Sequence, residues 1–414
     1  MSGGSGRSPA RAWVQNLGLL LVGTSVALVA GEWALRRYLP MEGFAYRLHP
    51  RYLYALAPGA RTLFAHTPQN GGGLVLVTVN SAGFRGDELR RGDHPRIVVY
   101  GDSCIEADYS RVAETFTKRL EVRLSAATGR PLETINAGTN GYGPDQALRR
   151  FQDDVRWLRP RGVVFTIFAD NDFGDLIRNR LYRLEGDLMV EAGGVLAGPV
   201  RQMFDPSERE QGLELQKRLR HFLRRRRRQH RLTPEAREAE RQTAMANYLQ
   251  ESVEMCRREY DEVVVKRNPL ISDLVKDHYD ADLSFFPGSD AATYKRALME
   301  AVLREVRATA VRERVPVLVL VVPSPIDICD ACEVAVDRQK YPDYDRRCLT
   351  SEAAGAARRA GLPVLDLFDP FRQAGADGLY YRHGEDHWNA AGQDLAGKLR
   401  ARIGNAVADD FDLP

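Results

Sequence analysis

Four short stretches of this 414-residue chain carry side chains that could do covalent chemistry. The first is Gly101-Asp102-Ser103, directly after Ile97-Val98-Val99-Tyr100. That β-branched and aromatic run reads as a buried strand. Ser103 then falls at the carboxyl end of a strand, where open α/β sheets place their sites. A serine with a base beside it is a nucleophile, although the bare tripeptide is also an ordinary turn. The second stretch is Asn136-Ala137-Gly138-Thr139-Asn140-Gly141-Tyr142-Gly143. A glycine there lets the backbone approach a ligand and aim an N–H at it. The third, Ala169-Asp170-Asn171-Asp172, offers a side-chain amide after a strand, or simply a turn. The fourth is Asp386-His387-Trp388-Asn389-Ala390-Ala391-Gly392, with one of the chain's 8 histidines as a possible acid–base group.

In this order the four stretches resemble the sequence blocks of the SGNH (GDSL-type) hydrolases, over about residues 80–180 and 315–405. The resemblance implies a three-layer α/β/α, flavodoxin-like fold with about five parallel strands. It implies a serine esterase, in which Ser103 attacks an ester carbonyl and His387 moves the proton. The oxyanion hole would be the N–H groups of Ser103 and Gly141 with the side chain of Asn171; Gly138 is the alternative glycine. Two positions depart from the family pattern. Ala169 stands where the family has glycine, a structural position. Gly384 stands three residues before the histidine, where the family usually has the aspartate of the triad. Asp386 or Glu385 would then steady His387, unless a Ser–His dyad uses a backbone carbonyl. No metal or organic cofactor is implied. The expected substrate is an acyl or acetyl ester of an envelope carbohydrate or lipid. An O-acyltransferase using the same acyl-enzyme is one alternative. A non-catalytic envelope binding or scaffold protein with a decayed SGNH domain is the other.

These stretches need elements to hold them. Ile97–Tyr100, Leu132–Asn136, Val163–Phe168, Val317–Val322 and Val364–Phe368 read as apolar strands. Helical patterns lie at Arg111–Leu124, Asp145–Trp157, Ala291–Arg314, Ser351–Ala360 and Ala390–Ile403, with Asn389 as a cap of the last. Such alternation implies a parallel sheet covered on both faces. The organisation expected is a disordered basic tail at 1–11, an anchor helix at 12–38 and a membrane-proximal segment at 39–95. The hydrolase domain would then occupy 96–180 and 315–414, interrupted by a mainly helical insertion at 181–314. In 39–95, His49–Tyr54 and Leu74–Val79 read as short strands, Asn80–Gly86 as a turn, and Phe84 as packing on the main domain; a structural role is expected. In the insertion, Glu208–Arg228 and Pro234–Arg258 read as charged helices, the second with Thr233 as N-cap. Arg224 to Arg228 form a run of five arginines, read as a solvated face rather than an anion-binding patch.

Ala12 to Gly31 carries no charge, long enough for a helix to cross the roughly 30 Å hydrocarbon core. Trp13 and Trp33 sit near its ends, as interfacial aromatics do. A cleaved signal peptide, ending at Val29-Ala30-Gly31, and a soluble helix are the competing readings. Arg7 and Arg11 favour a cytoplasmic amino terminus and an extracytoplasmic catalytic domain, although Arg36 and Arg37 weaken the asymmetry. Lys+Arg 59 against Asp+Glu 56 leaves a net charge of +3, so nothing global points to nucleic acid. Of five cysteines, Cys329 and Cys332 have metal spacing but lack a second pair, which disfavours zinc. One disulfide among Cys329, Cys332 and Cys348 is expected if the domain is exported. Cys104 reads as a small buried residue.

Overall fold

The structure, a computed structural model, describes all residues except 1–8, 41–44, 67–72, 93, 206–211, 221–222, 224–233, 333, 382–386 and 399–414. Five strands form the central sheet: β1 (Arg96–Gly101), β2 (Glu133–Gly138), β3 (Gly162–Phe168), β4 (Val317–Val322) and β5 (Val364–Asp366). All neighbours are parallel, in the order β5-β4-β3-β1-β2. The chain leaves β1 for β2 on one side, then crosses back to β3 on the other. The carboxyl end of β1 is therefore the topological switch point, where such sheets open a crevice. The expected α/β class and strand count hold.

The labelled helices are α1 (Pro9–Tyr38), α2 (Ser103–Glu106), α3 (Phe116–Thr128), α4 (Pro144–Leu158), α5 (Asp172–Asn179), α6 (Pro234–Tyr260), α7 (Asp290–Glu313), α8 (Cys348–Arg359) and α9 (Ala390–Lys398). Every residue of β3 is buried, as a strand covered on both faces requires. Alternation sorts its side chains. Val163, Phe165 and Ile167 face Phe151 of α4 and Val302 of α7, while Val164 and Phe168 join Leu120 of α3 and Ala396 of α9. Each such apolar side chain contributes about 1.5–3 kcal/mol on burial. Phe84 is buried in the first of these cores, with the Arg150 guanidinium 4.7 Å above its ring.

Several expectations need correction. The 49–54 stretch is not one strand: the chain turns there, between Tyr46–His49 and Leu53–Leu56 of an antiparallel hairpin. Leu53, the first residue of the second strand, sits at φ 69, a left-handed value that interrupts an extended run from 49 to 54. Strand 74–79 is found as Gly73–Thr78, paired with Arg61–His66. The last strand stops at Asp366, whose carboxylate accepts the Phe368 N–H at 2.8 Å where the next helix begins. The insertion is less purely helical than expected. It holds a hairpin, Tyr182–Glu185 with Leu188–Glu191, and a two-residue parallel pairing of Val195–Leu196 with Leu270–Ile271. The five cysteines are free, so no disulfide joins Cys329, Cys332 and Cys348; the Cys348 thiol instead donates to the Leu283 carbonyl at 3.4 Å. Cys104 is buried as expected. Within 208–228, residues 214–220 are helical as expected, while 208–211, 221–222 and the arginine run 224–228, with Thr233 and the chain beyond Lys398, lie outside the described residues. Within α1, Trp13–Tyr38 is long and apolar enough to cross a membrane, and its most apolar window has no buried residue.

Candidate active site

Ser103 opens α2, four residues long, immediately after β1. Asp102 is the cap. Its carboxylate accepts the Cys104 N–H at 3.0 Å, and its carbonyl accepts from Ile105 and Glu106. Ser103 is 5% exposed. Ala107, at φ 53, ends the helix and sends the chain into Asp108 and Tyr109.

β2 brings the second stretch alongside. Gly138 pairs with Gly101, and the Thr139 N–H donates to the Gly101 carbonyl at 3.1 Å. Gly138 lies against the Ile105–Glu106 backbone with no space for a Cβ, so it is a packing residue. Gly141 differs. Its φ is +71, and a Cβ there would lie 2.6 Å from Val275 Cγ1 and 2.8 Å from Tyr54 Oη. Backbone conformation and space both demand glycine. Between the two, the Asn140 N–H donates to Glu106 Oε2 at 2.6 Å.

β3 delivers the third stretch. Asp172 Oδ2 accepts the Phe168 N–H at 2.7 Å and turns the chain back over the strand end. Asn171, directly before α5, is 2% exposed, and its Oδ1 has no hydrogen-bond partner among the described residues. The insertion supports this corner: Asp280 accepts the Phe173 and Gly174 N–H groups, each at 3.1 Å.

The fourth stretch reaches the site ahead of α9. The His387 ring packs on Tyr109 with centroids 4.8 Å apart. Trp388 is buried, and its Nε1–H donates to the Cys104 carbonyl at 2.8 Å. One hydrogen bond thus joins the residue after His387 to the residue after Ser103. Asn389 caps α9, accepting the Ala391 and Gly392 N–H groups at 2.8 and 3.2 Å. Glu385 and Asp386, with Gly384, lie outside the described residues.

Several carboxyl groups around these turns are buried. Glu106 is pushed up to about 7 by burial and by Asp108, against the Asn140 N–H and the Tyr46 hydroxyl that favour its charged form. Burial also raises Asp108, partly offset by His387, His66 and Arg85 around it. Asp172 is driven well above the carboxylate range by burial and then by Asp102. A further cluster, Cys256, Asp280 and Asp282, has donor atoms close enough to hold a metal. Lys295 Nζ already lies among them, 2.8 Å from Asp280 and 2.9 Å from Asp282, and supplies the cation itself.

The sequence motifs did not single out Tyr46, Tyr54, Glu106, Asp108 or Tyr109. For Glu106 and Asp108 a signal existed: both acids lie within five residues of Ser103. For Tyr46 and Tyr54 there was none, because their proximity arises only when the hairpin folds onto the sheet.

No protein-family model matches the chain, and no curated protein matches it. Among solved structures, it is similar to an α/β hydrolase from the metagenome of Lake Arreo, Spain, at 12% identity and TM-score 0.37, over 77% of this chain and 97% of that one. A lipase/acylhydrolase from Enterococcus faecalis shows 12% identity and TM-score 0.34, over 75% and 95%. An acetyl xylan esterase shows 12% identity and TM-score 0.35, over 75% and 99%. At such identities the likeness concerns the course of the chain alone.

Proposed function

We propose that the protein is a serine esterase of the SGNH type, held at a membrane by α1. Ser103 Oγ attacks the ester carbonyl carbon while His387 takes its proton. The carbonyl oxygen becomes an oxyanion, held by the N–H groups of Ser103 and Gly141 and by the Asn171 side chain. As the tetrahedral intermediate collapses, the imidazolium protonates the departing alkoxide and leaves an acyl-serine. Water, deprotonated by His387, repeats the attack and releases a carboxylic acid and free Ser103. Asp386 or Glu385 is the carboxylate assigned to His387 Nδ1. The expected substrate is an acyl or acetyl ester of an envelope carbohydrate or lipid, met on the extracytoplasmic side.

The observation that carries this reading is the hydrogen bond from Trp388 Nε1 to the Cys104 carbonyl, which ties the His387 turn to the Ser103 turn at the sheet's switch point. The buried Asn171 and the reversed backbone at Gly141 follow β3 and β2, the strands on either side of β1. Hydrolysis of p-nitrophenyl acetate by the full chain tests it. Ser103→Ala and His387→Ala should each lose at least about 10³-fold in kcat. Activity that survives Ser103→Ala would refute the assignment. Repeating the assay with a glycan acceptor separates hydrolysis from acyl transfer, since transfer would divert acetate onto the sugar.

A further inference from the structure

Tyr54 lies in the hairpin that precedes the sheet, far in sequence from all four stretches. It is fully buried. Its hydroxyl donates to the Asn140 carbonyl at 2.7 Å. That carbonyl belongs to the same peptide unit as the Gly141 N–H. A trans peptide is planar, with its C=O and N–H pointing in opposite directions. A donor that fixes the Asn140 carbonyl therefore fixes where the Gly141 N–H points. The residue before it is clamped as well, because the Asn140 N–H is held by Glu106 at 2.6 Å. Glu106 in turn accepts the Tyr46 hydroxyl at 2.8 to 2.9 Å.

Tyr54 is itself immobilised. Its ring stacks on Phe204 at 4.3 Å and meets Tyr142 edge-on at 5.3 Å. The Tyr142 hydroxyl donates back to the Tyr54 carbonyl, so hairpin and loop bind each other reciprocally. Gln146 adds a bond from Nε2 to the Tyr52 carbonyl at 2.9 Å. Gly141 needs such restraint. Gly141, at φ +71, lies in a turn closed by the Tyr142 N–H on the Thr139 carbonyl at 3.1 Å, and the Asn140–Gly141 peptide in the middle of that turn is the plane whose orientation distinguishes the turn types. We propose that Tyr54 is a positioning residue of the oxyanion hole, aiming the Gly141 N–H through its hydrogen bond to the Asn140 carbonyl. The hairpin is then part of the catalytic apparatus rather than a spacer. This rests on the assignment of Ser103 and Gly141 above.

The test compares the wild-type full chain, Tyr54→Phe and Ser103→Ala. Phenylalanine keeps the ring packing and removes only the hydroxyl. With p-nitrophenyl acetate, Tyr54→Phe should lower kcat by about 10- to 100-fold, while KM stays within about threefold, because the lost interaction forms in the transition state. The rate of labelling by a fluorophosphonate, taken per labelled site, should fall in the same proportion. Counting labelled sites corrects for any unfolded fraction. An unchanged rate per site overturns the inference, and so does a rise in KM at unchanged kcat. Failure of wild-type Ser103 to label at all would instead refute the esterase reading on which it depends.

Discussion

At the scale of single residues, burial sets Glu106, three residues after Ser103, against its surroundings. Glu106 is raised from 4.5 to about 7 by burial first and by Asp108 second. A carboxyl group whose pKa is higher folded than unfolded binds its proton more tightly in the folded state. Between about pH 4.5 and 7, stability therefore falls as pH rises, by up to about 3 kcal/mol for this group. Glu106→Gln removes the titration while leaving an acceptor for the Asn140 N–H. Chemical unfolding of both proteins should show the variant gaining stability relative to wild type between pH 5 and pH 8. A difference that stays constant across that range would show that Glu106 does not titrate there. Activity should not follow the same trend, since the ionised carboxylate is the form that accepts from both Tyr46 and Asn140.

At the scale of elements, the insertion and the hairpin matter more than their sequences suggested. Asp280 reaches from the insertion to the first turn of α5 and fixes the corner that holds Asn171. Lys295 of α7 holds Asp280 and Asp282 with no exposure at all. Burial alone would lower the Lys295 pKa, but the two carboxylates more than offset it and hold it well above its usual value. Lys295→Met leaves two buried carboxylates uncompensated and should cost about 3–5 kcal/mol in urea unfolding. A loss below about 1 kcal/mol would contradict this account of the pairing. β1, β3 and β4 were legible because each is a largely buried apolar run, and Gly101-Asp102-Ser103 and His387-Trp388-Asn389 were legible because each sits at an element boundary. The 46–56 hairpin was not, because its turn rests on Leu53 at a left-handed φ, which residue type does not signal. Tyr54 could not be assigned to Gly141 from sequence. Its partner is a backbone carbonyl 86 residues away, and any residue presents one.

At the scale of the whole molecule, the hairpin and the insertion both bond to the loops that follow the sheet's strands, and α1 exposes its apolar surface while Glu32 near its end accepts the Glu214 and Leu215 N–H groups at 2.9 and 3.2 Å. The proposal of an uncleaved anchor and that of an acyl-enzyme both concern the full-length chain, so one sample can address both. Membranes from cells expressing the chain would be treated with a fluorophosphonate, and the protein extracted and weighed intact. Retention of residues 1–31 in the membrane fraction is expected for an anchor; a mass lacking them would identify a signal peptide. The most direct measurement is the site of the adduct, mapped by peptide mass spectrometry. A single phosphonyl group on Ser103, absent from Ser103→Ala, is the predicted result. An adduct on another residue, or equal labelling of the two proteins, would contradict the account.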